Sequence, residues 1–379
     1  MVMGLSMILF LLTFLTLYGG INFYFFFRAQ SVLHFAGIYQ GLFLVFIILM
    51  ILAPVLLRVF EAVHWEQVAR VSAYIGYVWM AFVFLFFFLS VSLELIRVIH
   101  KLFVPSTGTI TLKTVTFSLS ALLAAVLVVY GYVDAQRIRV KHLEIPTNKL
   151  TATEGKLRIV QISDVHVGII IGEKRLTPLI DKIRQANPDL LICTGDLMDG
   201  ELDNVMHNAR LFAELQPRYG KLAILGNHEY YAGIDRSLEF TKAAGFHLLR
   251  DDMAQAAGIT IFGADDVTGL RFGGSNKREG LKKALAEKRD GFVLYLKHQP
   301  QLDRDANFDL MLSGHTHGGQ LWPFRLIVRL FFPRDYGLYP LDGNKLLYVS
   351  RGTGTWGPPV RIFAAPEITV IDLIGKKSN

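Results

Sequence analysis

The sequence predicts a bundle of about four transmembrane α-helices at the N-terminus, followed by an α/β domain of two packed β-sheets flanked by helices. Three observations carry this prediction. Four long apolar stretches lie within residues 1–140 of the 379. From about residue 150 onward, short apolar runs alternate with polar helical stretches and glycine-rich turns, which is the pattern of an α/β sheet. A late succession of strand-like runs indicates the second sheet.

The four apolar stretches lie at roughly 4–27, 32–57, 71–96 and 114–133. Each is long enough to cross a hydrocarbon core, which requires about 20 helical residues. A buried helix of a soluble protein would explain one such stretch, but four in succession with few internal charges favour membrane spans. The first stretch lacks the basic start of a cleaved signal peptide. We therefore expect residues 1–140 to form a multi-pass domain whose partner is the lipid bilayer of the cell membrane.

The net charge of +7 is concentrated beside the predicted spans. Residues 1–150 hold ten Lys and Arg against five Asp and Glu, whereas the remaining residues hold 29 against 27. The second half therefore lacks the clustered basic face of a nucleic-acid-binding protein, and we expect no nucleic-acid partner. With the N-terminus inside, the inner flanks of the spans hold six basic residues and the outer loops hold four, which favours a cytoplasmic C-terminal domain.

Polar side chains follow five of the predicted strands, each at the point where the strand ends. In chain order they are Asp164 and His166 after 156–163, Asp196 after 189–195, Asn227 and His228 after 221–226, His298 after 291–297, and His315 and His317 after 308–314. In open α/β sheets, ligands gather outside the carboxyl ends of the strands, so we expect these five ends to converge. Asp164 and His166 stand at i and i+2, as do His315 and His317, so an extended backbone would direct both members of a pair to one side.

The chemistry of this set is that of a metal site. Imidazole, carboxylate and one amide oxygen suit divalent ions such as Mn, Fe, Zn or Mg. No thiolate takes part, so a structural zinc site of the cysteine type is not indicated. Seven ligating side chains are too many for one ion and suit two ions that share a carboxylate. Two ions about 3.5–4 Å apart can activate a bridging hydroxide and hold the oxygens of a phosphoryl group during in-line attack.

The segments "DVHVG", "GDLMDG", "GNHE", His298 and "GHTHGG" resemble the five sequence blocks of the calcineurin-like metallophosphoesterases, in the order of that family. The resemblance covers roughly residues 155–375, so we expect residues 150–379 to form a metallophosphoesterase domain. The chain looks most similar to a bacterial, membrane-associated branch in which "GHTHGGQ" and a late "SRGTGTWGPPVRI" segment are typical. Four predicted spans depart from the short anchors or signals common in that branch.

The resemblance implies a role for each matching residue. It assigns Asp164, His166 and His317 to one metal ion, Asn227, His298 and His315 to a second ion, and Asp196 to the bridge between them. It also implies that His228 faces the phosphoryl group as a general acid or as a stabiliser of its charge, and does not bind metal. The implied cofactors are two divalent ions, with manganese favoured over iron, zinc and magnesium. We interpret Asp199 as a turn or helix cap, the commoner role of an aspartate after a strand.

The substrate side of the site is less well defined. Arg351, Tyr230 and Tyr231 are candidates for substrate contacts. The segment 321–340 is rich in large apolar groups and carries three arginines. It fits either a core element beneath the site or an amphipathic surface that enters the lipid interface beside the metals.

Three functions fit these observations. The first is a membrane-bound two-metal phosphoesterase that hydrolyses a phosphoester or pyrophosphate bond by a metal-activated hydroxide, on a phosphorylated small molecule or a lipid-linked substrate. The second is a phosphodiesterase of a soluble nucleotide, with the helices as an anchor. The third is a non-catalytic membrane sensor with a metal-binding domain, although the complete ligand set favours an enzyme. The sequence leaves the substrate, the native metals and the oligomeric state open.

Overall fold

The computed structural model describes residues 2–103, 109–150, 155–199, 203–272 and 274–375. The chain divides into two compact units. The first unit comprises Met1–Val133 and Gly357–Val360, and the second comprises Asp134–Trp356 and Arg361–Asn379.

Four helices begin the chain: α1 (Val2–Leu33), α2 (Ile38–Ala62), α3 (Glu66–Phe103) and α4 (Thr109–Asp134). Among the described residues, three helical segments are long and apolar enough to cross a membrane: Ile38–Ala62, Glu66–His100 and Leu112–Asp134. The predicted count of four spans is therefore wrong for the described part of the chain. The first predicted span, 4–27, falls in α1, and its side chains at 4–8, 10 and 11 lie outside the described residues. Asn22 and Arg28 interrupt the apolar character of the rest of α1.

Polar contacts join these helices to one another. Arg28 on α1 donates to Glu94 on α3 at 2.5 Å and to Thr116 on α4 at 3.1 Å. Trp79 on α3 donates to Oδ1 of the buried Asn22 at 2.7 Å. Because an unpaired polar group is costly in an apolar environment, these bonds favour one arrangement of the bundle.

The second unit is an α/β domain, as predicted. Its strands are β1 (Arg139–Thr147), β2 (Lys156–Ile162), β3 (Val167–Gly168), β4 (Leu190–Cys193), β5 (Met198–Asp199), β6 (Lys221–Ala223), β7 (His247–Leu248), β8 (Asp252–Ala256), β9 (Ile259–Gly263), β10 (Val293–Leu296), β11 (Leu310–Ser313), β12 (Gly337–Pro340), β13 (Leu346–Val349) and β14 (Glu367–Gly375). Its helices are α5 (Glu173–Ala186), α6 (Ala209–Ala213), α7 (Asn227–Tyr231), α8 (Ile234–Ala243), α9 (Arg278–Ala286) and α10 (Phe324–Phe331), with short 3₁₀ turns between elements.

Two six-stranded mixed sheets form the domain. One has the order β1-β14-β2-β4-β6-β7 and the other the order β12-β13-β11-β10-β9-β8. Ile159 and Ile192 of the first sheet share a core with Leu294 and Leu312 of the second. On the other face of the first sheet, α5 buries four apolar residues at helical spacing, Leu176, Leu179, Ile180 and Ile183. The central strands read as continuous apolar runs because both of their faces are covered.

The strand β1 occupies the segment between the two predicted domains. It pairs in parallel with β14 from Arg139 opposite Glu367 to Thr147 opposite Gly375. Most of its side chains are exposed, so it lacks the buried run by which the other strands were recognised in the sequence.

Candidate metal centre

The five predicted strand ends converge. They follow β2, β4 and β6 of one sheet and β10 and β11 of the other. Three clusters of donor atoms form there, each with its atoms within 4.8 Å of one another: Asp164, His166 and His317; His166, Asp196 and His228; and Asp196, His298 and His315. Oδ1 of Asn227 lies 3.2 Å from Nε2 of His298 and 2.9 Å from Nδ1 of His315. All seven candidate ligands and His228 are thus brought together.

Asp196 lies between two groups of donors. Its Oδ2 is 3.1 Å from Nε2 of His298 and 3.9 Å from Nε2 of His166. On the His166 side, the Nε2 atoms of His166 and His317 are 3.0 Å apart, and Nε2 of His317 is 3.4 Å from Oδ1 of Asp164. A carboxylate placed between two donor groups suits a ligand shared by two metal ions.

The backbone of the site adopts the left-handed region. The φ angle is 52° at Asp164, 55° at His166, 52° at Asp196, 71° at His315 and 50° at His317. Residues other than glycine seldom adopt this region, and those that do cluster at functional sites. The prediction that an extended backbone directs the paired residues to one side is therefore wrong. Tight turns immediately after the strands direct them instead.

Two glycines, which have no side chain, let the carboxylates of two candidate ligands lie directly against the backbone. A Cβ at Gly226 would lie 2.2 Å from Oδ1 of Asp196, and a Cβ at Gly314 would lie 2.2 Å from Oδ2 of Asp164. Any side chain at either position would displace a candidate ligand.

The donor set fits divalent cations. Burial lowers the pKa of His166 to about 4 and that of His315 to about 3, and it holds the pKa of His317 well below its usual value. These imidazoles are therefore neutral, which is the form that binds metal. Nδ1 of His166 is buried without a hydrogen-bond partner among the described residues. Nitrogen and oxygen donors without thiolate match the borderline and hard metals.

Burial also acts on the acidic groups of the cluster. It raises the pKa of Asp164 to about 6. It opposes ionisation of Asp196 as well, but the neighbouring His298 and His228 outweigh it and hold the pKa of Asp196 well below its usual value. Asp196 is therefore the carboxylate that stays ionised most readily.

Glu229 organises the backbone around Asp196, a role that the sequence analysis missed. Its carboxylate accepts hydrogen bonds from the backbone N–H groups of Asp196 at 3.0 Å, Leu197 at 2.6 Å, Met198 at 3.2 Å and Gly226 at 2.7 Å. It thereby joins the turn after β4 to the turn after β6. The available signal was the position of Glu229 three residues after Gly226, where a glutamate can cap a helix N-terminus.

His228 is held by two aspartates. Its backbone N–H donates to Oδ1 of Asp196 at 2.8 Å, and its Nδ1 lies 2.9 Å from Oδ1 of Asp199. Burial opposes protonation of His228, but Asp196 and Asp199 outweigh it and raise its pKa to about 9. Asp199 thus contacts His228, the candidate general acid, a role that the turn or cap interpretation from the sequence did not include.

Arg361, which the sequence analysis also missed, is fully buried beside the last loop of the site. Its guanidinium donates to the carbonyl oxygens of His317 and Arg351 at 2.8 Å each and of Ala364 at 3.1 Å. A buried cation with several carbonyl partners holds these segments together. The only sequence signal for Arg361 was its position in the "SRGTGTWGPPVRI" segment.

Of the three candidates for substrate contacts, Tyr231 lies beside His228, whereas Tyr230 and Arg351 contact other residues. The hydroxyl of Tyr230 donates to Asp265 at 2.6 Å and accepts from Arg250 at 3.1 Å. The guanidinium of Arg351 lies 4.2 Å from the ring centre of Tyr336. Three aromatic rings lie beside histidines of the donor cluster. The exposed rings of Tyr231 and Trp356 lie 5.6 and 6.1 Å from that of His228, and Phe332 lies 4.9 Å from His315.

Known proteins resemble this chain over the same region. The family described as calcineurin-like phosphoesterase matches residues 157–319. An "uncharacterized metallophosphoesterase" of Aquifex aeolicus is 38% identical over 262 residues, which cover 67% of this chain and 98% of that protein. A "transmembrane protein with metallophosphoesterase domain" of Danio rerio is 34% identical over 272 residues, 67% of this chain and 62% of that protein. A Campylobacter jejuni metallophosphoesterase is 33% identical over 300 residues, 77% of this chain and 79% of that protein.

The family match, residues 157–319, includes all seven candidate ligands. The apolar helices long enough to span a bilayer lie before the matched stretch. From the converging donors and these relatives we conclude that this membrane protein belongs to the calcineurin-like phosphoesterase family and is a metal-dependent phosphoesterase.

Proposed function

We propose that this protein is a membrane-bound, two-metal phosphoesterase that hydrolyses a phosphoester or pyrophosphate bond. In this proposal residues 150–379 are the catalytic domain and residues 1–140 are the membrane domain. The observation that carries it is the position of Asp196 between the two groups of donors, 3.1 Å from His298 and 3.9 Å from His166. A single structural metal would not need a shared carboxylate or seven donors.

The proposed ligand sets follow the two sides of Asp196. Asp164, His166 and His317 would hold one divalent cation, and Asn227, His298 and His315 would hold the other. Two cations held there would supply a nucleophile derived from water and would neutralise charge on the phosphoryl oxygens, and we favour manganese. The neutral amide of Asn227 limits the negative charge of the site, which lessens repulsion of an anionic substrate.

His228 would act on the leaving group. Asp199 holds Nδ1 of the imidazole at 2.9 Å, which fixes the orientation of the ring. Nε2 of His228 can then donate a proton, or a hydrogen bond, to the oxygen on which negative charge develops. Glu229 would contribute indirectly, since it keeps the backbone of Asp196 and Gly226 in place.

Substitution of Asp196 tests this proposal. We expect the purified protein with added Mn to hydrolyse bis-p-nitrophenyl phosphate or p-nitrophenyl phosphate, and Asp196→Asn to reduce turnover to background, because both donor groups lose their shared ligand. Lys282→Ala is the matched control, since Lys282 lies exposed on α9 and forms a surface ion pair with Glu279. The proposal would be contradicted if the wild-type protein hydrolysed neither these substrates nor lipid diphosphates with any divalent metal.

We further propose that the catalytic domain lies on the cytoplasmic side of the cell membrane, because the flanks of the spans on the side of residues 135–150 hold six Lys and Arg and those on the other side hold four. A reporter fused to the C-terminus and active only in the cytoplasm should be active. Activity of a reporter that requires the opposite compartment would contradict this topology.

A second candidate function is hydrolysis of a soluble nucleotide by the same site. The exposed rings of Tyr231 and Trp356 beside His228 favour it, because a nucleobase can stack on such rings. Comparison of nucleotide phosphodiesters with aliphatic phosphodiesters tests it. Removal of the Trp356 ring should weaken binding of the nucleotide alone.

A further inference from the structure

The helix α10 directs its apolar side chains outward. Leu326, Ile327, Leu330 and Phe331 are 54%, 41%, 79% and 73% exposed, and none of the residues of α10 is buried. A surface helix of a globular domain ordinarily buries its apolar face and exposes its charged face. Here the ordinary arrangement is reversed, so the described residues of this domain leave the apolar face of α10 uncovered.

The opposite side of α10 carries the contacts with the domain. Nε of Arg325 lies 2.5 Å from Oδ2 of Asp335, whose side chain is almost fully buried. The guanidinium of Arg325 also lies 4.4 Å from the ring centre of Tyr336. Arg329 follows Arg325 by one helical turn and is exposed. The side of α10 that carries Arg325 is therefore the attached side, and Arg325 makes the contacts.

This helix is fixed next to the metal ligands. A Cβ at Gly319, two residues after His317, would lie 2.3 Å from Cα of Arg325, so the start of α10 packs closely on the histidine loop. The ring of Phe332, just after α10, lies 4.9 Å from the ring of His315. Whatever covers the apolar face of α10 is thereby held near the candidate site.

We infer that α10 lies in the interface of an anionic lipid bilayer, and that the substrate of the neighbouring site is an amphiphilic phosphoester carried in that bilayer. The second clause rests on the proposed function. A bilayer is the favoured occupant for two reasons. Exposed Arg329 on α10 and half-buried Arg334 just after it add positive charge to this apolar segment, a combination that suits anionic headgroups above acyl chains. The chain itself has three segments long enough to span a bilayer, and only residues 135–138 separate the last of them from β1.

Site-specific labels test the docking without requiring activity. Full-length Leu330→Cys is reconstituted in vesicles that contain phosphatidylglycerol and labelled with an environment-sensitive fluorophore; the native Cys193 is buried. Met253→Cys is the matched control, because Met253 is exposed on β8, at the edge of its sheet opposite to β12. We expect nitroxide lipids to quench the label at position 330 far more than the label at 253, and iodide to do the reverse. Equal quenching by iodide at both positions would overturn the inference, and so would protection of position 330 from both quenchers, since a protein would then cover α10.

Kinetics test the substrate class. Leu330→Asp is compared with Met253→Asp on hexadecyl p-nitrophenyl phosphate in the same vesicles and on soluble bis-p-nitrophenyl phosphate. We expect Leu330→Asp to lower kcat/KM for the vesicle-borne diester by about tenfold or more, the factor that burial of one leucine contributes, with no change on the soluble diester. An equal loss on both diesters would show that α10 only supports the metal loop and would overturn the inference. If the wild type hydrolyses neither diester, nor a lipid diphosphate, with any divalent metal, the proposed function fails, and the labels still decide whether α10 docks.

Discussion

Asp199 accepts a hydrogen bond from Nδ1 of His228 at 2.9 Å, and Glu229 accepts four from backbone N–H groups around Asp196. Neither carboxylate is among the proposed ligands, yet each determines where a neighbouring functional group lies. Hydrogen-bonded groups that orient a catalytic residue affect the rate although they do not touch the substrate. We therefore treat Asp199 and Glu229 as positioning residues.

Asp199→Asn should slow the reaction by tenfold to a hundredfold, a part of the roughly 10²–10⁴ that a positioned acid contributes. The loss should be larger for a diester with an alkyl leaving group than for one with p-nitrophenol, because the poorer leaving group needs protonation more. Steady-state kcat on the two diesters measures this difference. The double variant Asp199→Asn/His228→Ala should be no slower than His228→Ala alone, since the two residues act as one unit. Additive losses, or equal losses on both substrates, would contradict the positioning role.

Among the elements, β14 lies between the edge strand β1 and β2, the strand that leads to Asp164. It pairs in parallel with β1 and antiparallel with β2. Asp372 on β14 stands opposite Arg158 on β2, which donates to its two oxygens at 2.8 and 3.2 Å. Burial raises the pKa of Asp372, but Arg158 and Lys156 outweigh burial, and the net pKa is lowered.

Asp372→Asn should lower the stability of the catalytic unit by about 1 kcal/mol at neutral pH, a modest value because Arg158 and Lys156 are partly exposed. The direction in which this stabilisation changes with pH follows from the lowered pKa of Asp372. The stabilisation is complete above the pKa of the unfolded aspartate, near 3.8, and is lost as the pH falls through the lower pKa of the folded state. Thermal unfolding of both proteins in detergent at several pH values measures it. A difference between them that persists unchanged at strongly acidic pH would show that the pair is not its source.

At the scale of the whole molecule, folding gathers buried carboxylates and imidazoles that local chain segments could not hold together. Asp164 and His317 are separated by 153 residues, and their side chains lie 3.4 Å apart. Cations that bind only the folded chain stabilise it by mass action. The stability of the entire protein should therefore increase when metal is bound.

Removal of bound metal by a chelator should lower the apparent Tm, and Mn at about 100 times its Kd should restore roughly 2.7 kcal/mol of stability. Differential scanning fluorimetry of the full chain in detergent measures both changes. Asp196→Asn is the matched control and should respond much less, because the shared ligand is lost. An equal response of the two proteins to Mn would place the stabilising metal outside this cluster.

Much of the site could be predicted from residue type and chain order alone. An aspartate, an asparagine or a histidine directly after an apolar run can be recognised in the sequence, and parallel strands bring their ends together. Glu229 and Arg361 could not be assigned in that way, because their roles consist of bonds to backbone groups of distant segments. The exposed strand β1 was missed for a related reason, since it depends on pairing with β14 and not on its own pattern.

The class of chemistry can be read from the amino-acid sequence: which donor atoms are available, that they follow strands, and that apolar segments precede them. Those properties belong to single residues and short runs, so they are present in the unfolded chain. The left-handed turns at Asp164 and Asp196, the bond from His228 to Asp199 and the outward apolar face of α10 arise only when the chain folds. Each of these depends on groups far apart in the chain or on which face of an element is left uncovered, and packing alone determines that.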